Sequence, residues 1–141
     1  MTESIYPCLW FDGNAKAAAT FYCSVFKNSA IREENPMVVI FELNGKKFMG
    51  LNGGPMFTFN EAVSFVVSCA NQDEIDDYWE KLIAAGGKES RCGWLKDQFG
   101  VSWQIVPANM GQLLSAPGKE QRAMQAMMQM NKINIAALEN A

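Results

Sequence analysis

AKAAATFYCSVFK (15–27) and NQDEIDDYWEKLIAA (71–85) are the two stretches whose comparison decides the fold. In the first, Ala18, Phe21, Tyr22, Val25 and Phe26 recur at i, i+3, i+4, i+7 and i+8, one apolar stripe along a helix. Adding 57 to each number gives Ile75, Tyr78, Trp79, Leu82 and Ile83, a second apolar stripe with its own adjacent aromatic pair. Asp12 or Asn14 is expected to cap the first helix. The second has an acidic first turn that suits the helix dipole, and Gly86-Gly87 stops it.

Any two amphipathic helices of equal phase overlay, so the flanking segments carry the rest of the weight. Before the first helix stands the apolar run IYPCLWF (5–11), suited to a buried strand. After it come a weak strand at 30–34, MVVIFEL (37–43), the hairpin signal Asn44-Gly45, and a return strand KKFMGLN (46–52). Before the second helix stands AVSFVVSC (62–69); after it come short strands around 88–97, a turn at Asp97–Gly100 and VSWQIVP (101–107). The first strands map onto each other, Leu9 to Val66 and Trp10 to Val67, and a shift of 55 takes Gly45 to Gly100 and Phe48 to Trp103. A shared order of strand, helix, short strand and turn-Gly-strand points to an internal duplication.

One such module is an amphipathic sheet with a helix on one face and an open second face. Two modules side by side predict an α+β fold of two tandem β-α-β-β-β units whose curved mixed sheets form a trough, a natural small-molecule site. The expected organisation is one domain over 1–141, with module one at 1–55, module two at 56–109 and a helical tail at 110–141. In the tail, Pro117 is expected in the first turn of a helix, with Ser115 or Ala116 near the cap. Met124, Met127 and Met128 then keep helical spacing and suit packing against a core or a partner subunit, and KINIAALE adds another turn or two.

Composition excludes several functions. There are no histidines, which removes the commonest transition-metal ligand, the commonest general acid/base and every Ser-His or Cys-His pair. Cys8, Cys23, Cys69 and Cys92 contain no C-x-x-C pair, so they read as reduced, buried thiols of a cytoplasmic protein. The net charge of -3 offers no basic excess for nucleic acid. No apolar run approaches the ~18 residues that span a membrane. MTESIYPCLWFDG lacks the pattern of a signal peptide.

The strings FMGLNGGPMFTFNEAVSFVVSC, EIDDYWEKL and CGWLKDQFGVSWQIVP, with the tail MQAMMQMNKINIAALE, resemble the PhnB-like branch of the glyoxalase/bleomycin-resistance (vicinal-oxygen-chelate) superfamily. Members of this branch often carry the name 3-demethylubiquinone-9 3-methyltransferase. The resemblance implies the paired β-α-β-β-β architecture and a homodimer. In catalytic relatives it implies a divalent metal held by His, Glu and Gln from the first and last strands of each module. The last-strand motif of those relatives resembles Asp-x-x-Gly-x-x-aromatic-Glu; here it reads Asp97, Gly100, Trp103 and then Gln104. By the repeat shift the mate of Gln104 is Met49, with Asn52 a polar candidate nearby. The first-strand positions fall near Tyr6 or Pro7 and near Ala62 or Ser64. None of these is His, Asp or Glu, and neutral Gln is a weak ligand while Met suits soft metals only. Glu61, the one acid beside a site strand, reads as an exposed strand-end carboxylate.

Gln104, Asn52, Ser64, Tyr6 and Met49 are therefore the expected ligand-binding residues, with Trp10, Phe57 and Trp94 among the aromatics beside them; Phe59 and Trp103 are further aromatics to place. Along 101–107, alternation puts Trp103 and Ile105 on one face and Gln104 and Val106 on the other. The expected function is binding of a small apolar or aromatic molecule, with no metal and no cofactor. The alternatives are a metal-dependent lyase, isomerase or dioxygenase, which needs a Lewis acid, and a methyltransferase. The latter normally holds its cofactor on a Gly-rich loop that opens a helix, and neither LNGG nor AAGG sits in that setting.

Overall fold

The computed structural model describes residues 4–141; the first three residues of module one lie outside the described residues. The chain divides into two compact units, the first ending at Phe59 and the second running Asn60–Ala141. The fold is α+β, with one open four-stranded mixed sheet in each unit.

In the first unit, β1 (Cys8–Phe11), helix α1 (Ala15–Val25), β2 (Ala30–Glu34), β3 (Val38–Leu43) and β4 (Lys46–Asn52) follow in order. The sheet order is β1-β4-β3-β2, with β1 parallel to β4 and the other pairs antiparallel. Asn44 (φ 51) and Gly45 (φ 77) both take left-handed backbone, the geometry that closes the tight β3–β4 hairpin. Leu9, Phe11, Val39, Phe41, Leu43 and Phe48 bury one sheet face under Ala15, Ala18, Ala19, Tyr22 and Val25 of α1. Gly50 lets that helix approach, since a Cβ there would meet Ala15 Cβ at 3.3 Å.

The expected cap of α1 is corrected. Asn14 does take the N-cap position, one of the two expected, but makes no side-chain cap bond. Instead Asn52, at the end of β4, accepts from the Ala15 N–H at 2.9 Å and donates its amide to the Pro36 carbonyl at 3.1 Å. Cys8 is corrected too: it is exposed, because it alternates with buried Leu9 and stands on the open face.

The second unit repeats the plan. β5 (Ser64–Cys69), α2 (Gln72–Ile83), β6 (Lys88–Glu89), β7 (Trp94–Lys96) and β8 (Ser102–Pro107) give the order β5-β8-β7-β6, again with the first and last strands parallel. Asn71 caps α2 by accepting from the Glu74 N–H, and the Glu74 carboxylate accepts from the Ala70 N–H, a reciprocal arrangement. Ile75, Trp79 and Leu82 of α2 are buried with Leu95, Trp103 and Ile105 of the sheet.

The tail holds three short helices, α3 (Met110–Leu114), α4 (Glu120–Met128) and α5 (Ile135–Glu139). Two details correct the sequence reading. α3 was not anticipated, and Pro117 precedes α4 in a turn instead of occupying its first turn. Between α4 and α5 the chain straps onto the second unit. Cys92 and Gly93 N–H groups donate to the Met130 and Asn131 carbonyls, both at 2.8 Å, and Ile133 is fully buried. Gly93, at φ +83, is required there, because a Cβ would meet the Ile105 carbonyl oxygen at 2.9 Å.

Candidate functional site

Alternation leaves each sheet with one face not covered by its helix. In the second unit that face carries Ser64, Val66 and Ser68 from β5, Ser102, Gln104 and Val106 from β8, and Trp94 and Lys96 from β7. The register sets Gln104 opposite Val66 on one side and Trp94 on the other. The Gln104 amide donates to the Ser64 hydroxyl at 3.0 Å. Val66 stays 60% exposed, so the polar pair has apolar surface beside it. Three of the expected residues, Gln104, Ser64 and Trp94, thus lie together on one face of one sheet.

Trp103 is directed elsewhere. It is buried on the helix side, tilted against Phe65 with ring centroids 5.5 Å apart, and its indole N–H donates to Asp97 Oδ2 at 2.8 Å. Asp97 Oδ1 accepts from the Phe99 and Val101 N–H groups, closing the turn that Gly100 completes at φ +88. The Asp-x-x-Gly-x-x-aromatic pattern therefore fixes the turn and the start of β8, and this presents Gln104 on the opposite face.

In the first unit the open face carries Cys8 and Trp10 from β1 with Lys47, Met49 and Leu51 from β4. Met49 pairs in register with Cys8. The Lys47 ammonium lies 4.1 Å over the Tyr6 ring, a cation–π contact. Trp10 packs edge-on against Phe57 at 4.9 Å, and its indole N–H donates to the Gly54 carbonyl at 2.9 Å. Gly53 makes room for that ring, since a Cβ would come within 2.4 Å of it. Phe57 itself is 58% exposed, whereas Phe59 turns edge-on to the buried Phe11. Asn52 belongs to the helix side of this sheet, with both ends of its amide engaged.

The residues expected at ligand positions carry amide, hydroxyl, thioether and phenol groups. Gln104 turns its N–H toward Ser64, and Met49 and Tyr6 supply a thioether and a ring engaged with Lys47. Among the described residues no group of three or more His, Cys, Asp or Glu side chains converges as a metal site would need. Glu61 is ion-paired with Lys96 at 3.0 Å, which holds its carboxyl below the usual range. Of the thiols, Cys69 is buried, and burial followed by the charge of Glu74 pushes it up to about 11, so it is an inert thiol and no nucleophile.

A cleft of about 690 Å³ lies where the tail meets the start of α2 and the end of β8. None of the expected residues lines it. Two polar links cross the seam: Gln72 donates to the Ile133 carbonyl and accepts from the Ile135 N–H, and Asp76 pairs with Lys132 at 2.9 Å. It is a docking seam for the tail, and no feature of the sequence pointed to it.

The family model for 3-demethylubiquinone-9 3-methyltransferase matches residues 3–106. A comparison with curated proteins returned no match. Among solved structures, a PhnB protein from Bacillus cereus, described as a 3-demethylubiquinone-9 3-methyltransferase, is 33% identical. The match covers 75% of this chain and 100% of that one, at a TM-score of 0.68. A glyoxalase-related enzyme from Fulvimarina pelagi is 20% identical over 75% of this chain and 88% of that one, at a TM-score of 0.56. A fosfomycin resistance protein from Listeria monocytogenes, crystallised with Mn(II) and sulfate, is 14% identical over 81% and 96% of the two chains, at a TM-score of 0.58. The last two share the fold.

Proposed function

Because the chain belongs to the 3-demethylubiquinone-9 3-methyltransferase family, the PhnB-like branch of the glyoxalase/bleomycin-resistance superfamily, we propose that it binds a small apolar or aromatic molecule without a catalytic metal. The observation that carries this reading is the Gln104–Ser64 pair beside Trp94 and the exposed Val66. It sets apolar surface, Val66, Val106 and Trp94, beside polar groups that can orient a ligand, as small-molecule sites do. Trp10, Phe57, Met49 and Tyr6 give the first unit's open face a similar aromatic and thioether character.

The alternatives draw less support. Glyoxalase-type lyase, isomerase or dioxygenase chemistry rests on a metal that polarises an oxygen, and the donor set here is amide, thioether and hydroxyl. The manganese of the fosfomycin resistance protein belongs to that protein. A methyltransferase activity has the family's name behind it and no Gly-rich cofactor loop at a helix start. We further propose a homodimer, supported by exposed Met124 and Met128 on α4. A cytoplasmic location is supported by four free thiols. Among the described residues no helix is long and apolar enough to cross a membrane.

The binding reading is tested by NMR titration with indole as an aromatic probe. Shifts are expected at the Gln104 side-chain amide and the Trp94 indole, with affinity falling about fivefold in Gln104→Ala, the worth of one hydrogen bond. Indole shifts confined to other parts of the chain would contradict the assignment of this face.

A further inference from the structure

Two residues along β8 from Gln104, on the same face, stands Ser102. It is 1% exposed, and its hydroxyl has no hydrogen-bond partner among the described residues. Buried polar groups are nearly always paired, so a lone one marks a place where something else bonds. Ser102 lies in the wall of a cavity of about 200 Å³ that Glu61, Lys88, Glu89, Trp94 and Lys96 also line. Its register partners are Ser64 on β5 and Lys96 on β7. Trp94 belongs both to this cavity and to the Gln104 face.

The state of the other polar groups decides what the cavity takes. Glu61 is engaged by Lys96 at 3.0 Å. Glu89 accepts from the Trp79 indole at 2.9 Å and from the Asn131 amide at 3.3 Å. The wall carries two lysines against two glutamates, so the carboxylates leave no net charge. Among the described residues Lys88 has no ion-pair or side-chain hydrogen-bond partner. The groups left over are the hydroxyls of Ser102 and Ser90, which can donate or accept, and the Lys88 ammonium, which only donates, so together they suit an acceptor. The volume is below the ~300–1,000 Å³ of a whole ligand site, so the cavity suits one end of a molecule.

We propose that this cavity is a subsite for the carboxylate end of a small organic acid, whose apolar or aromatic body lies along Trp94 and Val66 on the Gln104 face. The subsite rests on the binding reading above and narrows its ligand class. Ser102 donates to one carboxylate oxygen, and Lys88 faces the same group from the solvent side.

The test compares 3-phenylpropionate with 3-phenylpropanol, which share a body and differ at the end group, on the full chain and on Ser102→Ala. The acid is expected to bind about tenfold more tightly than the alcohol, and Ser102→Ala to remove most of that preference. Removing an unpaired hydroxyl should leave the melting temperature level or raise it, so loss of folding does not obscure the result. Equal affinity for acid and alcohol, with shifts at Trp94 and Gln104, would overturn the subsite and keep the binding face. A lower melting temperature in Ser102→Ala would also overturn it, by showing that the hydroxyl is bonded within the folded protein. Absence of binding by either probe would overturn the binding reading and the subsite with it.

Discussion

Three N–H groups converge on the buried Asp97 carboxylate: the backbones of Phe99 and Val101 and the indole of Trp103. Asp97→Ala leaves all three in a site that is 3% exposed in the native protein, so urea denaturation should show a loss of about 3 kcal/mol. Asp97→Asn keeps one acceptor oxygen and should cost less. A change under about 0.5 kcal/mol for Asp97→Ala would show that the turn does not depend on this side chain. The turn at Asp97–Gly100 was legible in the sequence, but the bonds by which the Asp97 carboxylate holds it, Trp103 included, were not. Asn52 shows the opposite limit. Its strand position was legible, but its partner on the N-terminus of α1 is 37 residues away. Local capping rules inspect only the residues beside the helix, and so they favoured Asp12 or Asn14.

Among the elements, α1 and α2 were legible because burial against a sheet imposes a 3.6-residue apolar period, and both carry it cleanly. β2 was weak in sequence, since its residues are half-buried or exposed and its edge pairing with β3 holds it in place despite an irregular register between Ile31 and Glu33. The tail was the least legible. Its strap is fixed by backbone bonds to Cys92 and Gly93 and by the buried Ile133, contacts that no local pattern encodes. In α4 the Met stripe divides: Met127 is half-buried, while Met124 and Met128 are 42% and 55% exposed. That leaves an apolar helix face for a second copy of the chain. Light scattering at micromolar concentration should report about twice the 15.7 kDa chain mass, falling toward one chain mass in a Met124→Lys/Met128→Lys variant. A monomeric parent protein would remove the homodimer from the account.

For the whole molecule, the duplication predicted from two helices 57 residues apart appears as two sheets of the same strand order, each with its first and last strands parallel. The fold was legible because repetition doubles every weak signal. The site was legible only in part: Gln104, Ser64 and Trp94 share a face, but Ser102 escaped notice, because nothing in a sequence marks a hydroxyl as buried and unpartnered. The proposed reading is that the Gln104 face of the second unit binds a small molecule and that the chain holds no catalytic metal. Elemental analysis of protein purified without added metal, followed by zinc, nickel and manganese titration, tests that claim most directly. The account predicts far less than one equivalent of metal on isolation and no submicromolar site for any of the three ions. One equivalent of tightly bound metal that is lost in Gln104→Ala would contradict it.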